Sequence, residues 1–295
     1  MQTETRPMPP PPMRPPPPSS QPQVQAQAQA AAVPATFAVS RGRIVGRPMR
    51  TVIYGSGGVG KTTLASFAEL PVFLELEPGS GELDVARITG ISKYEEVRSI
   101  LQNGLVKEFK TIVLDSVTKL EEMTVNYIMR TVPTQNGSLP RRIEDYDYGK
   151  GYQHAYDMFL PILADLDRCV ERGHNVVLIA HECVSNVPNP GGEDWIRYEP
   201  HLQNPRSGKA SIRERVFQWA DNVLFVGFNV AVTEEGKGFG SGERVIWLEE
   251  RPTHRAKMRG RLERGLGESL PFTDPNVHGP ALWSALSAKK EGEAQ

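Results

Sequence analysis

The chain has few cysteines, almost no net charge and no long hydrophobic run. Its 295 residues include two cysteines, Cys169 and Cys183, which are too few for a disulfide framework and fit a reducing compartment such as the cytoplasm. The net charge of −1 excludes a diffuse polycation, although a local basic patch remains compatible with it. The apolar runs are only strand-sized, so no membrane span is predicted. No apolar segment follows Met1, so no signal peptide is predicted.

Proline is unevenly distributed along the chain. Eleven of the 25 prolines fall in residues 1–34, among Gln, Ala, Met and Ser. Such a segment cannot bury enough apolar surface to offset its ordering entropy, so residues 1–36 are predicted to be disordered with polyproline II character. A ligand for an aromatic groove is the alternative interpretation of this tail. Residues 289–295 are predicted to be a second polar tail, which leaves one folded domain over residues 37–288.

Between the tails, short β-branched runs alternate with helix-length amphipathic stretches. The predicted strands are Arg50–Tyr54, Val72–Leu76, Thr111–Leu114, Asn175–Ala180, Asn222–Val226 and Arg244–Leu248. The predicted helices cover residues 61–69, 92–103, 117–131, 150–172 and 210–220. Continuous apolar strands joined by helices predict an α/β fold with a mainly parallel sheet and helices on both faces.

A phosphate-binding loop follows the first predicted strand. Residues 55–62 match the pattern G-x-x-x-x-G-K-[ST] and lie between a predicted strand and a predicted helix, which is the context that nucleotide binding requires. The candidate nucleotide-binding residues are Gly55, Ser56, Gly57, Gly58, Val59, Gly60, Lys61, Thr62 and Thr63. The glycines let successive N–H groups face one phosphate, and the positive end of the next helix faces the same anion. Lys61 places a charge on the β- and γ-phosphates, and the Thr62 hydroxyl ligates Mg²⁺.

Carboxylates follow two further strands. Asp115 ends a buried strand and is predicted to join Thr62 in the Mg²⁺ site, the alternative being a simple helix cap. Glu75 and Glu77 alternate along another strand and are predicted to share one face. Glu77 lies nearer the carboxyl end, so it is the better candidate for the base that orients the attacking water. Solvated surface carboxylates are the alternative interpretation of this pair.

His181 follows another apolar strand, Asn175–Ala180. Carboxyl ends of parallel strands face the ligand crevice, so His181 is a candidate sensor of the γ-phosphate. A structural histidine at a strand end is the alternative.

The order of these motifs resembles the RecA-like branch of P-loop ATPases. The resemblance is more specific to phage-encoded ATPases of the AAA_24 domain type, which include Sak-type single-strand annealing proteins, and it covers about residues 40–265. Besides the P-loop, it is based on Phe73-Leu74-Glu75-Leu76-Glu77, Leu114-Asp115-Ser116, Tyr148-Gly149-Lys150-Gly151-Tyr152, Ile179-Ala180-His181 and Ala256-Lys257-Met258-Arg259.

The resemblance implies specific roles and partners. Glu77 would activate water, and His181 would stand where such proteins often have Gln. Lys257 and Arg259 would reach the nucleotide of a neighbouring subunit in a ring or filament of identical chains. ATP and Mg²⁺ are the implied ligands. Single-stranded DNA and a single-strand-binding or replication protein are the implied partners, in the cytoplasm of a bacterial host of a phage or prophage.

Two stretches add basic and aromatic residues. The first contains Arg251, Arg255, Lys257, Arg259, Arg261 and Arg264. It is interpreted as a finger on a neighbour's phosphate, a nucleic-acid contact or a solvated basic strand edge. The second, residues 182–209, is rich in proline and glycine and is predicted to be a long irregular loop. Its candidate DNA contacts are Trp195, Tyr198, Arg197, Arg206 and Lys209, and a loop with no ligand is the alternative.

Three functions remain open at this point. The chain is predicted to be an ATPase that acts on single-stranded DNA, or a helicase loader or replication motor that acts on proteins. A GTP-dependent switch ranks last, because it would need an Asn-Lys-x-Asp base reader. The nearest string, Ser92-Lys93-Tyr94-Glu95, has Glu for Asp and precedes a helix in the wrong place.

Overall fold

A computed structural model of the chain describes residues 46–206, 209–232 and 238–287. The predicted tails, residues 1–36 and 289–295, lie outside these ranges, and the domain limits of 37–288 stay a prediction. Over the described ranges, no helix combines the length and apolar character that crossing a membrane requires.

The predicted strands and helices all have counterparts in the structure. The strands are β1 (Arg50–Gly55), β2 (Pro71–Glu75), β3 (Ala86–Ile88), β4 (Thr111–Asp115), β5 (Asn175–Val187), β6 (Trp195–Pro200), β7 (Asn222–Val232), β8 (Gly238–Trp247), β9 (Lys257–Met258) and β10 (Ser269–Pro271). The α-helices are α1 (Lys61–Ser66), α2 (Tyr94–Gln102), α3 (Val117–Thr131), α4 (Lys150–Glu171), α5 (Ile212–Trp219) and α6 (Pro275–Ser287). Helix α1 is shorter than predicted, and β3, β6, β9, β10 and α6 are additional elements.

The described strands form one sheet in the order β10-β8-β7-β1-β5-β4-β2-β3, with β6 paired to β5 and β9 paired to β7. The strands from β3 through β7 in this order run parallel. Strands β8, β9, β10 and β6 pair antiparallel with their neighbours. The predicted mainly parallel sheet is therefore confirmed.

Helices cover both faces of this sheet. Successive residues of β1 point to opposite faces, because side chains alternate along a strand. Val52 and Tyr54 pack in a core with residues of α2, α3, α4 and α5. Ile53 packs in a second core with residues of α1 and α6. Strand β1 is therefore buried on both sides, which explains the consecutive large apolar residues Val52, Ile53 and Tyr54.

The register aligns the carboxyl ends of four strands. Glu75 of β2 lies opposite Asp115 of β4, and Asp115 lies opposite Ile179 of β5. Gly55 of β1 lies opposite His181 of β5. The polar residues predicted from separate parts of the chain thus meet at the carboxyl ends of these strands.

The predicted irregular loop over residues 182–209 is wrong for much of its length. Strand β5 continues past the sheet edge to Val187 and pairs with β6 to form a β-hairpin. The prolines and glycines that suggested a loop cluster in the turn between residues 188 and 192 and after β6. Two runs of β-forming residues separated by such a turn are typical of a hairpin, and this pattern could have indicated it.

Helix α6 contains Gly279 and Pro280, which disfavour a helix, so the sequence did not predict it. Gly279 allows a close approach, since a Cβ atom there would lie 2.2 Å from Phe67. The indole Nε1 of Trp283 donates a hydrogen bond to the carbonyl oxygen of Leu64 in α1 at 2.7 Å. Helix α6 is thereby joined to the helix that follows the P-loop.

Gly151 near the start of α4 has a packing role. A Cβ atom at this position would lie 2.3 Å from the carbonyl oxygen of Ile143 and 2.9 Å from the Tyr146 ring. Within the motif Tyr148-Gly149-Lys150-Gly151-Tyr152, the glycine at position 151 is therefore explained by the packing of α4 against the preceding segment.

An aromatic stack lies beside the sheet around His254. The Tyr198 and Phe225 rings are 5.5 Å apart, and the Phe225 and His254 rings are 5.0 Å apart. The His254 ring lies 4.8 Å from that of Trp247, whose other contact is the guanidinium of Arg251 at 4.8 Å. His254 is buried, and this burial lowers its pKa to about 4.

Candidate functional site

The P-loop connects the carboxyl end of β1 to the first residue of α1. A Cβ atom at Gly55 would lie 2.1 Å from the carbonyl oxygen of Val226, so no larger residue fits there. Gly60 has a φ of 101°, in the left-handed region that favours glycine. These two positions explain why the loop between strand and helix requires glycine.

Lys61 lies beneath the loop with its charge directed at the backbone. Its Nζ donates hydrogen bonds to the carbonyl oxygens of Gly55 at 2.9 Å and Ser56 at 2.7 Å. Lys61 is buried, and burial lowers its pKa, while the nearby charges of Asp115, Glu182 and Glu77 act in the opposite direction. The structure thus places the predicted cation at the predicted loop.

Thr62 and Asp115 meet as the sequence predicts. The Thr62 hydroxyl donates to Oδ2 of Asp115 at 2.8 Å. Asp115 is buried, and burial raises its pKa, an effect that the Thr62 hydrogen bond and the charge of Lys61 oppose. A hydroxyl and a carboxylate oxygen in contact are the donor types that Mg²⁺ takes in phosphoryl-transfer sites, so these residues fit the implied ion.

Glu75 and Glu77 have different environments. Oε1 of Glu75 accepts hydrogen bonds from the backbone N–H and the hydroxyl of Ser80, at 3.2 and 2.9 Å. Glu77 lies beyond the end of β2, and its backbone N–H donates to the Asp115 carbonyl oxygen at 3.3 Å. Glu75 therefore stabilises the loop after β2 through its hydrogen bonds to Ser80, and the Glu77 side chain does not take part in those bonds.

His181 contacts Glu77 directly. Its Nε2 lies 2.9 Å from Oε1 of Glu77, across 104 residues of sequence. The backbone N–H of His181 donates to the Thr118 hydroxyl at 3.1 Å, and its carbonyl oxygen accepts from the backbone N–H of His201 at 2.8 Å. The two predicted residues are thus brought together at the base of the hairpin formed by β5 and β6.

Two residues near the P-loop had not been singled out from the sequence. Glu182 follows His181; its pKa is raised by burial and lowered by the charge of Lys61. Arg244 of β8 reaches the loop, with Nη1 at 3.4 Å from the carbonyl oxygen of Val59. Neither belongs to a sequence motif, and only the folded sheet brings them near the loop.

Lys257 and Arg259 lie near the amino ends of the parallel strands, whereas the P-loop lies at their carboxyl ends. Lys257 in β9 pairs with Val223 at the start of β7, which in turn aligns with Val52 of β1. The loop begins three residues beyond Val52, roughly 10 Å along the strand. The pair therefore does not belong to the P-loop site of its own subunit.

Both side chains of this pair have partners. Nζ of Lys257 donates to the carbonyl oxygen of Phe217, and Nη1 of Arg259 lies 2.8 Å from Oδ1 of Asp221. Asp221 also pairs with Arg47 and Arg50, so three arginines share one buried carboxylate. This end of the strands keeps an excess of positive charge.

The basic segment 251–264 is largely neutralised within the chain. Its carboxylate pairs are Arg251 with Glu268, Arg255 with Glu214, Arg259 with Asp221, and Arg261 with Glu249. Arg264 donates to backbone carbonyls of α6. The concentration of basic residues in the sequence therefore overstates the charge that this segment presents.

The hairpin changes the interpretation of the candidate DNA contacts. Trp195, Ile196 and Tyr198 are exposed at its surface. Arg197 is not available as predicted, because it is largely buried and pairs with Glu199 and Glu250. The other two predicted cations, Arg206 and Lys209, are exposed beyond the hairpin.

Residues 47–260 match the AAA_24 family, described as an AAA domain, and the chain belongs to this family. With its P-loop and the Thr62–Asp115 contact at the carboxyl ends of parallel strands, the protein is a P-loop ATPase. No curated protein sequence matches the chain.

Two examples illustrate the solved structures that resemble the chain. One is a KaiC-like protein from Pyrococcus horikoshii OT3, with 17% identity and a TM-score of 0.39, over 78% of this chain and 89% of that one. The other is the flagellar accessory protein FlaH from Methanocaldococcus jannaschii, with 8% identity and a TM-score of 0.39, over 77% of this chain and 85% of that one. Both scores are low, so nothing about function follows from either likeness.

Proposed function

We propose that the chain couples Mg²⁺-dependent ATP hydrolysis to work on single-stranded DNA, in annealing or recombination of the phage type. The ATPase part is supported by one observation: Lys61, the Thr62–Asp115 pair and Glu77 converge at the carboxyl ends of the parallel strands, although they come from the start of α1, from β4 and from the segment after β2. These are the ends at which open α/β sheets bind ligands.

The roles follow from the chemistry of each group. The P-loop N–H groups and Lys61 bind the phosphates. Thr62 with Asp115 would hold Mg²⁺, which would supply positive charge to the transferred phosphoryl group. Glu77 orients a water and accepts its proton as the oxygen attacks the γ-phosphorus and ADP leaves. His181 contacts Glu77 and fixes the direction of its carboxylate.

Lys257 and Arg259 are proposed to act on the nucleotide of a neighbouring subunit. They lie away from their own P-loop, near the amino ends of the strands, where three arginines share Asp221. A cation supplied by a neighbour stabilises transition-state charge only after assembly, as arginine fingers do. This role requires a ring or filament of identical chains, and Arg259 would exchange its contact with Asp221 for one with phosphate.

The β5–β6 hairpin is proposed as the DNA-contacting element. Trp195 and Tyr198 expose 36% and 41% of their surface, and stacking on such rings suits every base. The hairpin begins at His181, so it connects directly to the group that contacts Glu77. Arg206 and Lys209 are exposed and are the candidate phosphate contacts. Arg197 pairs with Glu199 and Glu250.

The deciding experiment measures ATP hydrolysis by the full chain with and without single-stranded DNA. We expect turnover to require Mg²⁺ and to rise with DNA, and we expect Lys61→Ala to abolish it. The control variant, Lys107→Ala, changes an exposed lysine elsewhere and should behave as wild type.

The Trp195→Ala variant separates the two parts of the proposal. We expect it to keep basal turnover and to lose the DNA response. Stimulation by a replication protein in place of DNA would favour the helicase-loader alternative. Full turnover in the Lys61→Ala protein would contradict the assignment of the nucleotide site itself.

A further inference from the structure

Arg244 of β8 is folded against the P-loop. Its Nη1 lies 3.4 Å from the carbonyl oxygen of Val59, and a Cβ atom at Gly60 would lie only 3.0 Å from the same nitrogen. The guanidinium lies 5.2 Å from the centre of the Phe272 ring. The backbone carbonyl of Arg244 accepts a hydrogen bond from the N–H of Phe272 at 2.8 Å, which fixes both residues relative to each other.

The charge of Arg244 has no carboxylate partner in the described part of the chain. Its polar contact there is a single long hydrogen bond to a carbonyl oxygen. Of the other arginines that are partly or largely buried, Arg213, Arg255 and Arg261 each pair with a glutamate. Arg264 donates to backbone carbonyls of α6. Among the described residues no carboxylate compensates for the solvation that this half-buried guanidinium has lost, so an anionic ligand would bind there favourably.

The sheet order shows which part of a nucleotide this cation would contact. Strand β1 lies between β5 and β7, and β8 lies beyond β7. His181, Asp115 and Glu77 belong to the β5, β4 and β2 side of the P-loop. Arg244 approaches the loop from the other side. It therefore lies away from the groups that would act on the γ-phosphate.

We propose that Arg244 binds the diphosphate part of the nucleotide, which ATP and ADP share. This inference rests on the proposed nucleotide site at the P-loop and adds a second cation to Lys61 from the same chain. Phe272 holds the guanidinium by its ring face, and Gly60 leaves room for it beside the loop. Arg244 is thus a nucleotide-binding residue that acts in ground-state binding and does not distinguish ATP from ADP.

The test compares dissociation constants for ATP and for ADP, measured by isothermal titration calorimetry on the full chain. Arg244→Met keeps an apolar side chain over Phe272 and removes the charge, and Arg244→Lys keeps the charge. We expect Arg244→Met to weaken both nucleotides about tenfold or more, the usual effect of losing a charge-assisted hydrogen bond. Arg244→Lys should recover most of this loss.

Two further measurements exclude a purely structural role. Arg130→Met is the matched control, because Arg130 is exposed on α3 and pairs with Glu95. Its affinities should equal those of wild type. Higher salt should weaken nucleotide binding more in wild type than in Arg244→Met, since screening acts on the charge. If Arg244→Met does not fold, Arg244→Gln replaces it in the same measurements.

The inference is overturned if the Met variant binds both nucleotides as wild type does, if it loses ATP alone, or if the Lys and Met variants lose equally. Failure of the underlying site would look different. In that case wild-type protein would bind neither nucleotide, or Lys61→Ala would bind both unchanged.

Discussion

His181 and Glu77 form a direct contact, with 2.9 Å between Nε2 and Oε1, at the meeting point of β5 and the loop after β2. The contact joins the hairpin to the proposed base. We therefore expect Glu77→Gln to bind ATP but to lose about 10²–10⁴-fold in hydrolysis rate, because an amide cannot accept a proton. Single-turnover hydrolysis and ATP binding measure the two effects separately.

Glu75→Gln is the matched control for this change. Glu75 accepts hydrogen bonds from Ser80 and has no contact with His181, so its loss should affect stability more than turnover. If Glu75→Gln were inactive and Glu77→Gln fully active, the roles of the two carboxylates would have to be exchanged.

Arg259 should be required in trans. Arg259→Ala should bind ATP nearly as wild type does and lose turnover. Arg259 lies near the amino ends of the parallel strands, away from the P-loop of its own subunit. Mixing this variant with Lys61→Ala protein should restore part of the activity, since a mixed interface combines an intact loop with an intact arginine. Hydrolysis by the mixture is compared with hydrolysis by each variant alone.

The mixing experiment has a clear negative outcome. If mixed oligomers form, as shown by crosslinking, and no activity returns, Arg259 does not act on a neighbour's nucleotide.

Gly151→Ala should destabilise the fold, although alanine is normally the better helix residue. The added Cβ would lie 2.3 Å from the carbonyl oxygen of Ile143, and such overpacking costs about 1–3 kcal/mol. The free energy of unfolding in urea measures the change. Gly81→Ala is the control, because no atom lies within 4 Å of its added Cβ, and a shift as large as that of Gly151→Ala would contradict the packing explanation.

Stability should fall in mild acid because of His254. Burial lowers its pKa in the folded protein to about 4, below the ordinary histidine value of 6.5, so the unfolded chain binds more protons between these values. Lowering the pH from 6.5 to 4 therefore removes stability, by up to roughly 3 kcal/mol. Urea unfolding at pH 7 and pH 5 should show a smaller loss for His254→Phe, which keeps the aromatic stack.

The exposed His201 provides the control for this pH effect. His201→Gln should leave the acid sensitivity as in wild type. An unchanged pH dependence in His254→Phe would show that another group is responsible.

The sequence predicts best those features that depend on neighbouring residues. The P-loop, the strand before Asp115 and helix α3 are all encoded locally, and each lies where the pattern places it. The hairpin was missed because prolines and glycines of its turn dominated the local pattern. Helix α6 was missed because Pro280 and Gly279 are unfavourable in a helix, and packing against Phe67 outweighs that preference.

Charge pairing could not be predicted at all. Arg259 and Asp221 are 38 residues apart, and Arg50 and Asp221 are 171 residues apart. Only the sheet brings these side chains together, so a count of basic residues along the sequence gave too large an excess of charge. The contact between Arg244 and the P-loop escaped prediction for the same reason.

The hydrogen bond between Trp283 and Leu64 gives the protein an intrinsic optical reporter. The indole is attached to the helix that begins with Lys61, so a shift of that helix changes the polarity and quenching around this buried fluorophore. Trp195, the first residue of β6, is exposed, so we expect its emission at a longer wavelength than that of a buried indole. The chain has four tryptophans, so variants that keep Trp283 alone or Trp195 alone would let events at the loop and at the hairpin be followed in real time without a chemical label.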